Sequence, residues 1–495
     1  MAGIASVFSC FLDPELILFV FIGAVAGTFV GAIPGLSVTM ATALLVSITY
    51  SWETKLALAT MMGVYVVGVF SGAISAILIN IPGAPSSVVT TLDGYPMAKR
   101  GEAYKALKYA AIYSFVGTVF GILVLWVLAK PMTSVAIRFR PMDYFLLAFF
   151  GLATVGSLSS DNFAKGLISA VIGLVIGMIG SDSVLGTPRL TFGIRSLQAG
   201  VSTVPALVGL FGFSEVLAVV SGRELTAEAL PIRRTGIKTG EVLKHFRLSL
   251  YCSAIGVFIG ALPGAGGPVA SFLAYSEARR LVKNPSRPFG EGAPEGIVAS
   301  ESANNAVIGG ALIPMLTLAV PGDATTAVML SAFYIHGLRP GPTFLMTDAD
   351  KLGIIIGAAL IAGLFLLLIG LSVGPYLSRV ISVPKRIMMP IVTVLCIVGA
   401  YACSSRLFDV GVMVFFGLLG FLLRSRQYPV APVTLALVLG PVMDSNFRRA
   451  VSLASSEDHF LAAMLGHPIT LVLLAATAVS LASNIPAVRK LFRKG

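Results

Sequence analysis

Long apolar runs dominate the chain, and short polar stretches that hold most of the Lys and Arg residues separate them. A helix needs about 20 apolar residues to cross the hydrocarbon core of a bilayer, and runs of this length recur throughout the chain. None shows a sustained period of two, so membrane helices are favoured over the strands of a β-barrel. The clearest runs are 15–33, 56–79, 109–129, 203–221, 248–262, 352–373, 388–403, 408–423 and 461–482.

Other apolar runs are shorter or interrupted, and they predict half-spans. They are 36–50, 143–157, 166–180, 268–282, 303–320, 323–337 and 430–443. Together the runs predict an all-α polytopic membrane protein with roughly a dozen transmembrane helices plus re-entrant or broken helices. Composition agrees, because 12% of the 495 residues are charged, whereas soluble domains carry about 25%. A water-soluble fold is excluded.

The net charge of +12 fits a membrane protein, because the basic residues gather between the apolar runs. Such clustering is typical of cytoplasmic loops. It places the 222–247 loop and the basic C-terminal residues 489–494 in the cytoplasm. No basic residue precedes Lys55, which argues against a cleavable signal peptide and favours a periplasmic N-terminus. Solvated loops account for these charges, so no nucleic-acid partner is expected.

Residue types that usually carry enzyme or metal chemistry form no pattern. Cys10, Cys252, Cys396 and Cys403 lie in or beside apolar runs without metal-ligand spacing, and the four His residues show none either. The GAGG stretch at 264–267 lacks the Lys of a phosphate-binding loop. We therefore expect neither an enzyme nor an ATP-driven transporter, and no covalently bound cofactor.

Three motifs occur twice, in the same order. The pairs are GAIPGLSV (31–38) with GALPGAGG (260–267), NIPGAPSS (80–87) with AVPGDATT (319–326), and DGYPMAKRG (93–101) with HGLRPGPTF (336–344). The chain is therefore predicted to hold two membrane repeats, 1–221 and 248–495, joined by a basic linker at 222–247. Matching breaks in two repeats are typical of secondary transporters. We expect inverted repeats, because inversion gives alternating access a simple symmetry.

The Pro-Gly motifs predict broken membrane helices. Pro removes a backbone N–H and Gly allows unwinding, and unpaired backbone groups are costly in lipid. The breaks therefore require a protein-lined or watery cavity. After each break, the N–H groups and dipole of a new helix N-terminus can bind a carboxylate, while freed carbonyls suit Na⁺. The alternative is that the Ser and Thr residues only cap helices or pack against small residues.

The candidate substrate- and ion-binding residues come from these breaks and from one polar helix in the second half. Glu301, Asn304 and Asn305 share a helical face. Glu301 either binds Na⁺ or a proton, or braces the helix start. Na⁺ is predicted at Asn80, Asn305 and Asp323. The full set is Pro34, Gly35, Ser37, Thr39, Asn80, Pro82, Gly83, Ser86, Ser87, Thr90, Thr91, Pro263, Gly264, Gly266, Glu301, Asn304, Asn305, Pro321, Gly322, Asp323, Thr325 and Thr326.

Five motifs within residues 31–342 resemble the large membrane subunit of the tripartite tricarboxylate transporters, the TctA family. They are GAIPG, NIPGAPSSVVTTLDGYPMAKRGEAYKAL, GALPGAGG, FGEGAPEGIVASESANNA and AVPGDATTAVMLSAFYIHGLRPGP. The resemblance implies a bacterial inner-membrane subunit that works with a small four-helix membrane subunit and a periplasmic substrate-binding protein. It implies cation-driven import of citrate or related carboxylates, typically with Na⁺, and an elevator-like fold similar to the large TRAP subunit. Asp323 departs from the family pattern, where a small neutral residue is expected.

Other functions stay open at this point. A TRAP-like or other stand-alone carboxylate transporter would use the same breaks, and so would a gated anion channel. A membrane scaffold or intramembrane enzyme would use them only for packing. The residues do not name the carboxylate, choose between Na⁺ and H⁺, or decide whether the membrane complex forms a homodimer.

Overall fold

The computed structural model describes residues 2–158, 163–182, 186–222, 239–372, 385–455 and 465–482. Most of the predicted linker 222–247 lies outside the described residues, and so does the basic C-terminal segment. The domain boundaries and the membrane side of these segments therefore stay predictions.

The described residues form twenty α-helices. Their bounds are α1 Ala2–Cys10, α2 Pro14–Ala32, α3 Val38–Ile48, α4 Thr54–Ile79, α5 Val88–Met97, α6 Ala103–Ala136, α7 Pro141–Leu158, α8 Phe163–Gly177, α9 Thr203–Leu207, α10 Ser214–Val220, α11 Thr239–Gly260, α12 Gly266–Leu281, α13 Pro294–Leu318, α14 Ala324–Ile335, α15 Phe344–Thr347, α16 Ala349–Ser372, α17 Lys385–Ala402, α18 Leu407–Ser425, α19 Ala431–Ala454 and α20 Pro468–Ala482. A π-helical turn, Val208–Phe213, joins α9 to α10. A short antiparallel hairpin pairs β1 Gly180–Ser181 with β2 Pro188–Arg189.

Seven helices of the described residues are long and apolar enough to cross a membrane, and six further apolar helices are shorter. The predicted all-α polytopic class is confirmed. Three of the runs predicted as short, 36–50, 268–282 and 323–337, form the short helices α3, α12 and α14. Each of these helices begins just after a Pro-Gly motif.

The centre of the molecule is formed by α4 and α13. Every residue of α13 is buried, as is nearly every residue of α4. A helix that is enclosed on all sides must find partners for each polar side chain it carries. The polar face of α13 therefore contacts neighbouring helices or an internal cavity rather than lipid.

The helix pairs α2/α4 and α11/α13 pack closely through glycines at matching positions. A Cβ added to Gly31 would lie 2.2 Å from Gly68 O, and one added to Gly260 would lie 2.6 Å from Val307 O. Small residues allow membrane helices to approach each other closely. In both helix pairs, the close contact therefore lies at the start of the matching Pro-Gly motif.

Two groups of helices flank this centre. One group contains α3, α9, the π-helical turn, α10, α17 and α18, and the other contains α7, α8, α19 and α20. The short helix α14 contacts members of both groups, whereas α12 packs against α5, α11 and α13. This arrangement encloses α3 and α14 more fully than α5 and α12.

Candidate functional site

Both central helices end on a residue with left-handed backbone conformation. Helix α4 is followed by Asn80 with φ of 58°, and α13 by Ala319 with φ of 56°. Such a residue turns the chain out of the helix, and the Pro that follows cannot continue it. The chain then folds back along the helix it has left, so that Gly83 N donates to Gly72 O at 3.2 Å.

Glycine is required where the returning chain passes the other break of the same half. A Cβ on Gly83 would lie 2.1 Å from Gly31 O, and a Cβ on Gly322 would lie 2.4 Å from Gly260 O. The obstructing atoms belong to the backbone of close-packed helices and cannot move aside easily. The two breaks of each half are therefore in direct contact.

One cavity of about 770 Å³ is lined by segments from all four breaks. Ligand pockets for small organic molecules have volumes of this order. Half of the predicted site residues line the cavity. They are Gly35, Ser37, Thr39, Pro82, Gly83, Ser86, Gly264, Gly266, Asn304, Asp323 and Thr325.

The other predicted site residues are not part of the cavity lining. They are Pro34, Asn80, Ser87, Thr90, Thr91, Pro263, Glu301, Asn305, Pro321, Gly322 and Thr326. Asn80 is exposed, and Asn305 Nδ2 donates within the core to Val66 O and Thr118 Oγ1. Of the three residues at which Na⁺ is predicted, Asp323 alone lines the cavity.

The helices α3 and α14 begin with side-chain caps. Ser37 Oγ accepts from Met40 N at 3.0 Å. Asp323 Oδ1 accepts from Thr326 N at 2.7 Å, and Thr326 Oγ1 accepts from Asp323 N at 2.9 Å, which completes a capping box. Asp323 is thus the N-cap residue of α14. At these two N-termini, side-chain oxygens of the protein accept from N–H groups that a ligand would otherwise reach.

The helices α5 and α12 begin without a side-chain cap. Their N-termini meet at Gly267, where an added Cβ would lie 2.7 Å from Asn304 Oδ1 and 3.0 Å from Ser86 Cβ. Asn304 Nδ2 is buried and has no hydrogen-bond partner among the described residues. An unmade hydrogen bond of this kind costs about 1–3 kcal/mol. The uncapped N-termini and this amide therefore form a group of hydrogen-bond donors that lacks an acceptor.

Glu301 lies in the core rather than at the cavity. Its carboxylate accepts hydrogen bonds from Thr90 Oγ1 on α5 and from Ser114 Oγ on α6, the latter at 3.0 Å. Both donors come from helices that pack against α13. Glu301 therefore links α13 to α5 and α6 from within the helix rather than at its start, and its choice between ion binding and bracing stays a prediction.

Asp93 holds α5 against the loop that precedes α13. Its Oδ1 accepts from Gly290 N, Gly292 N and Ala293 N at 2.7–2.9 Å, and its Oδ2 accepts from Tyr275 OH at 2.9 Å. The motif that contains Asp93 is one of those that recur, but its loop partners are two hundred residues away in the chain. This contact fixes the position of the uncapped helix α5.

Four polar residues at the cavity, Tyr65, Glu215, Arg424 and Tyr428, are absent from the predicted set. Tyr65 OH donates to Asp323 Oδ2 at 2.9 Å. Glu215 on α10 pairs with Arg424 in the last turn of α18. The sequence signal for these residues is weak. Tyr65 lies in a uniformly apolar helix, and Glu215 and Arg424 lie close to the ends of apolar runs. A charge within an apolar helix is the feature that points to such residues.

Comparison with known proteins gives one family and two relatives. A family model described as Tripartite tricarboxylate transporter TctA family matches residues 17–435. An uncharacterized 52.8 kDa protein in the TAR-I ttuC' 3' region of Agrobacterium vitis is 34% identical over 498 residues, covering 97% of this chain and 96% of the relative. A protein in the TAR-II ttuC' 3' region of the same organism is 33% identical over 226 residues, covering 44% of this chain and 93% of the relative. No solved structure matches the chain significantly.

Proposed function

Because the chain belongs to the tripartite tricarboxylate transporter TctA family, we propose that it is the large transmembrane subunit of a Na⁺-coupled importer of tricarboxylates or related organic acids. It takes substrate from a periplasmic binding protein and works with a small four-helix membrane subunit. It lies in the bacterial inner membrane, with the 222–247 loop and the C-terminus in the cytoplasm. The observation that carries this proposal is the cavity at which all four breaks meet.

The carboxylate binds where α5 and α12 begin. Their uncapped N–H groups and dipole ends favour an anion. Asn304 Nδ2 supplies a further donor that has no partner among the described residues, and the Ser86 hydroxyl lies beside it. A bound carboxylate has about four acceptor sites and could pair with Asn304 Nδ2, the Ser86 hydroxyl and N–H groups of these N-termini.

The cation binds beside the capped helices, at Asp323. The Thr39 and Thr325 hydroxyls, which lie 2.8 Å apart, line the same cavity and supply the oxygen ligands that hard cations prefer. Asp323 is preferred to Asn80 and Asn305 because it alone of the three lines the cavity. A cation and a carboxylate in one cavity lower each other's electrostatic cost, which couples their binding. H⁺ is the alternative coupling ion.

We also propose that the two halves are inverted repeats that move in an elevator-like manner. The directions of the central helices support inversion. Helix α5 runs antiparallel to α13, because Thr90 bonds to Glu301 whereas Asp93 bonds to the earlier residue Ala293. The relation between α5 and α4 then decides the direction of α4.

Helix α5 runs parallel to α4. Gly72 lies against Ser87 just before α5, and Gly94 near the end of α5 lies against Ile77. Helices α4 and α13, which end in matching motifs, are therefore antiparallel to each other. Opposite directions for matching helices are what an inverted pair of repeats requires.

The proposal is tested by citrate uptake into proteoliposomes that hold the complete membrane complex, with its binding protein outside. Radiolabelled citrate is expected to accumulate only when a Na⁺ gradient directed inward is present. The same vesicles with K⁺ in place of Na⁺ serve as the control. Accumulation driven by a pH gradient alone would assign H⁺ as the coupling ion. Citrate flux that persists without any ion gradient would contradict the proposal and favour a channel.

A further inference from the structure

Part of the cavity wall comes from α10, from the last turn of α18 and from the turn that follows it. Arg424 belongs to this wall and is the one basic residue among the described residues that line the cavity. Its side chain is 31% exposed. A charged side chain in a membrane helix indicates a functional site and calls for a partner to be named.

The partner of Arg424 in the structure is Glu215. Arg424 Nη1 donates to Glu215 Oε2, and this is the one hydrogen bond that the described residues provide to the guanidinium. A guanidinium carries five N–H donors in a planar fork and pairs with carboxylates in a bidentate manner. Donors therefore remain for a second carboxylate.

The turn that carries Arg424 into the wall is fastened to α8. Lys165 Nζ donates to Arg426 O at 2.8 Å and lies 5.1 Å from the centroid of the Tyr428 ring. Tyr428 itself lines the cavity. Because this segment is already ordered, little conformational entropy is lost when the guanidinium engages a ligand.

We propose that Arg424 binds one carboxylate of the transported acid and that Glu215 is the internal carboxylate which the substrate displaces. This assignment rests on the proposed function. A tricarboxylate brings more negative charge than the uncapped N-termini and one Na⁺ balance. Apart from Arg424, the charged side chains in the described lining are the carboxylates of Glu215 and Asp323. Arg424 is thus the group that favours acids with several carboxylates over acids with one.

A purely structural ion pair would behave differently. If Glu215 and Arg424 only tie α10 to α18, neutralising either residue removes the same contact and shifts citrate uptake in the same direction. If Glu215 competes with the substrate, the two substitutions have opposite effects on the KM for citrate. The sign of the effect of Glu215→Gln therefore separates the two roles.

The experiment measures KM and Vmax for citrate uptake by the complete complex in proteoliposomes. Arg424→Gln is expected to raise KM about tenfold or more. Arg424→Lys recovers part of the loss, because Lys keeps the charge but not the bidentate fork. Glu215→Gln is expected to lower KM about threefold. Arg426→Gln is the matched control, because Arg426 is exposed and is not part of the cavity lining.

Two outcomes would overturn the role of Arg424 and leave the transporter function standing. One is equal KM values for Arg424→Gln and Arg426→Gln, and the other is a KM raised alike by Arg424→Gln and Glu215→Gln. A wild-type complex that neither binds citrate nor accumulates it would overturn the proposed function, and the role of Arg424 with it. If Arg424→Gln fails to assemble, Arg424→Lys carries the test through its smaller rise in KM.

Discussion

The four helices that start at the breaks form two pairs with different chemistry. Helices α3 and α14 begin with the caps Ser37 and Asp323, whereas α5 and α12 begin without a side-chain cap. The capped helices contact each other through Thr39 and Thr325. The uncapped helices meet near Ser86. Each half of the chain contributes one helix to each pair, so the cavity has one side with uncapped helix N-termini and one side that carries its own carboxylate, Asp323.

Two differences between the matching motifs account for this division. Ser37 in the first half corresponds to Gly266 in the second, and Ala84 in the first half corresponds to Asp323 in the second. The oxygen of a capping side chain accepts from N–H groups at the helix N-terminus. Without a capping side chain, these N–H groups can bind a ligand. A shared backbone motif therefore does not by itself say which break binds the substrate.

The two pairs also differ in burial. Val88 in α5 is 49% exposed, while its motif counterpart in α14, Ala327, is fully buried. Phe272 in α12 is 63% exposed, while its counterpart in α3, Ala43, is fully buried. Helix α3 is covered by α9 and α17, and α14 by α9 and α19. The capped pair is thus covered by neighbouring helices, whereas the uncapped pair has apolar side chains at the surface of the described helices.

The largest expected effect comes from replacing the glycine that both halves have in the second Pro-Gly motif. Gly83→Ala and Gly322→Ala each force a Cβ into backbone of the preceding break, and each is expected to destabilise the protein by about 3 kcal/mol. The measurement is the thermal unfolding midpoint of the purified complex. Gly240→Ala is the control, because nothing lies within 4 Å of a Cβ there. Tolerance of one substitution but not the other would show that the two breaks are not built alike.

The next prediction converts an uncapped break into a capped one. Ala84 and Asp323 both have extended backbone conformations, so Ala84→Asp can cap the Pro85–Ser87 turn that leads into α5. The new carboxylate would occupy the anion site, and the KM for citrate is expected to rise about 100-fold.

Thermal unfolding checks that the Ala84→Asp complex stays folded. Ala84→Ser adds a weaker, uncharged cap and should give a smaller rise in KM. An unchanged KM for Ala84→Asp would place the substrate carboxylate elsewhere and remove the functional difference between the two pairs.

Asp323→Asn tests the other pair without uncapping it. Asn caps helices as well as Asp does, so α14 should keep its N-terminus. The Na⁺ concentration for half-maximal citrate uptake is expected to rise about tenfold, because the charged ligand is lost. The KM for citrate at saturating Na⁺ should change much less. An unaltered Na⁺ dependence would exclude Asp323 as the cation ligand.

The membrane class and the breaks were predictable from sequence because both depend on local properties. Apolar length decides whether a helix can cross a bilayer, and Pro and Gly act through their own backbone. The cap at Asp323 is local in the same sense, since its partner Thr326 is three residues away. These features need no knowledge of which helices become neighbours.

The roles of the polar face of α13 could not be predicted in the same way. Helical spacing places Glu301, Asn304 and Asn305 on one face, yet Asn304 reaches the cavity while Glu301 bonds to Ser114. Which side of such a face meets a neighbour depends on helices far away in the chain. Arg424 illustrates the same limit, because its contribution to the cavity appears only when α18 is placed beside α10.

The smallest expected effect tests whether α3 truly belongs to the capped pair. Ser37→Ala removes the acceptor for Met40 N and should cost about 1 kcal/mol of stability, measured as a lower unfolding midpoint. The KM for citrate should stay within about twofold of wild type, because the opened N-terminus lies on the side that carries Asp323, whose charge disfavours a second carboxylate. Ser37→Asp, which keeps a cap, should restore the midpoint. A clear fall in KM for Ser37→Ala would mean that capping alone decides where the substrate binds, and that position within the cavity does not.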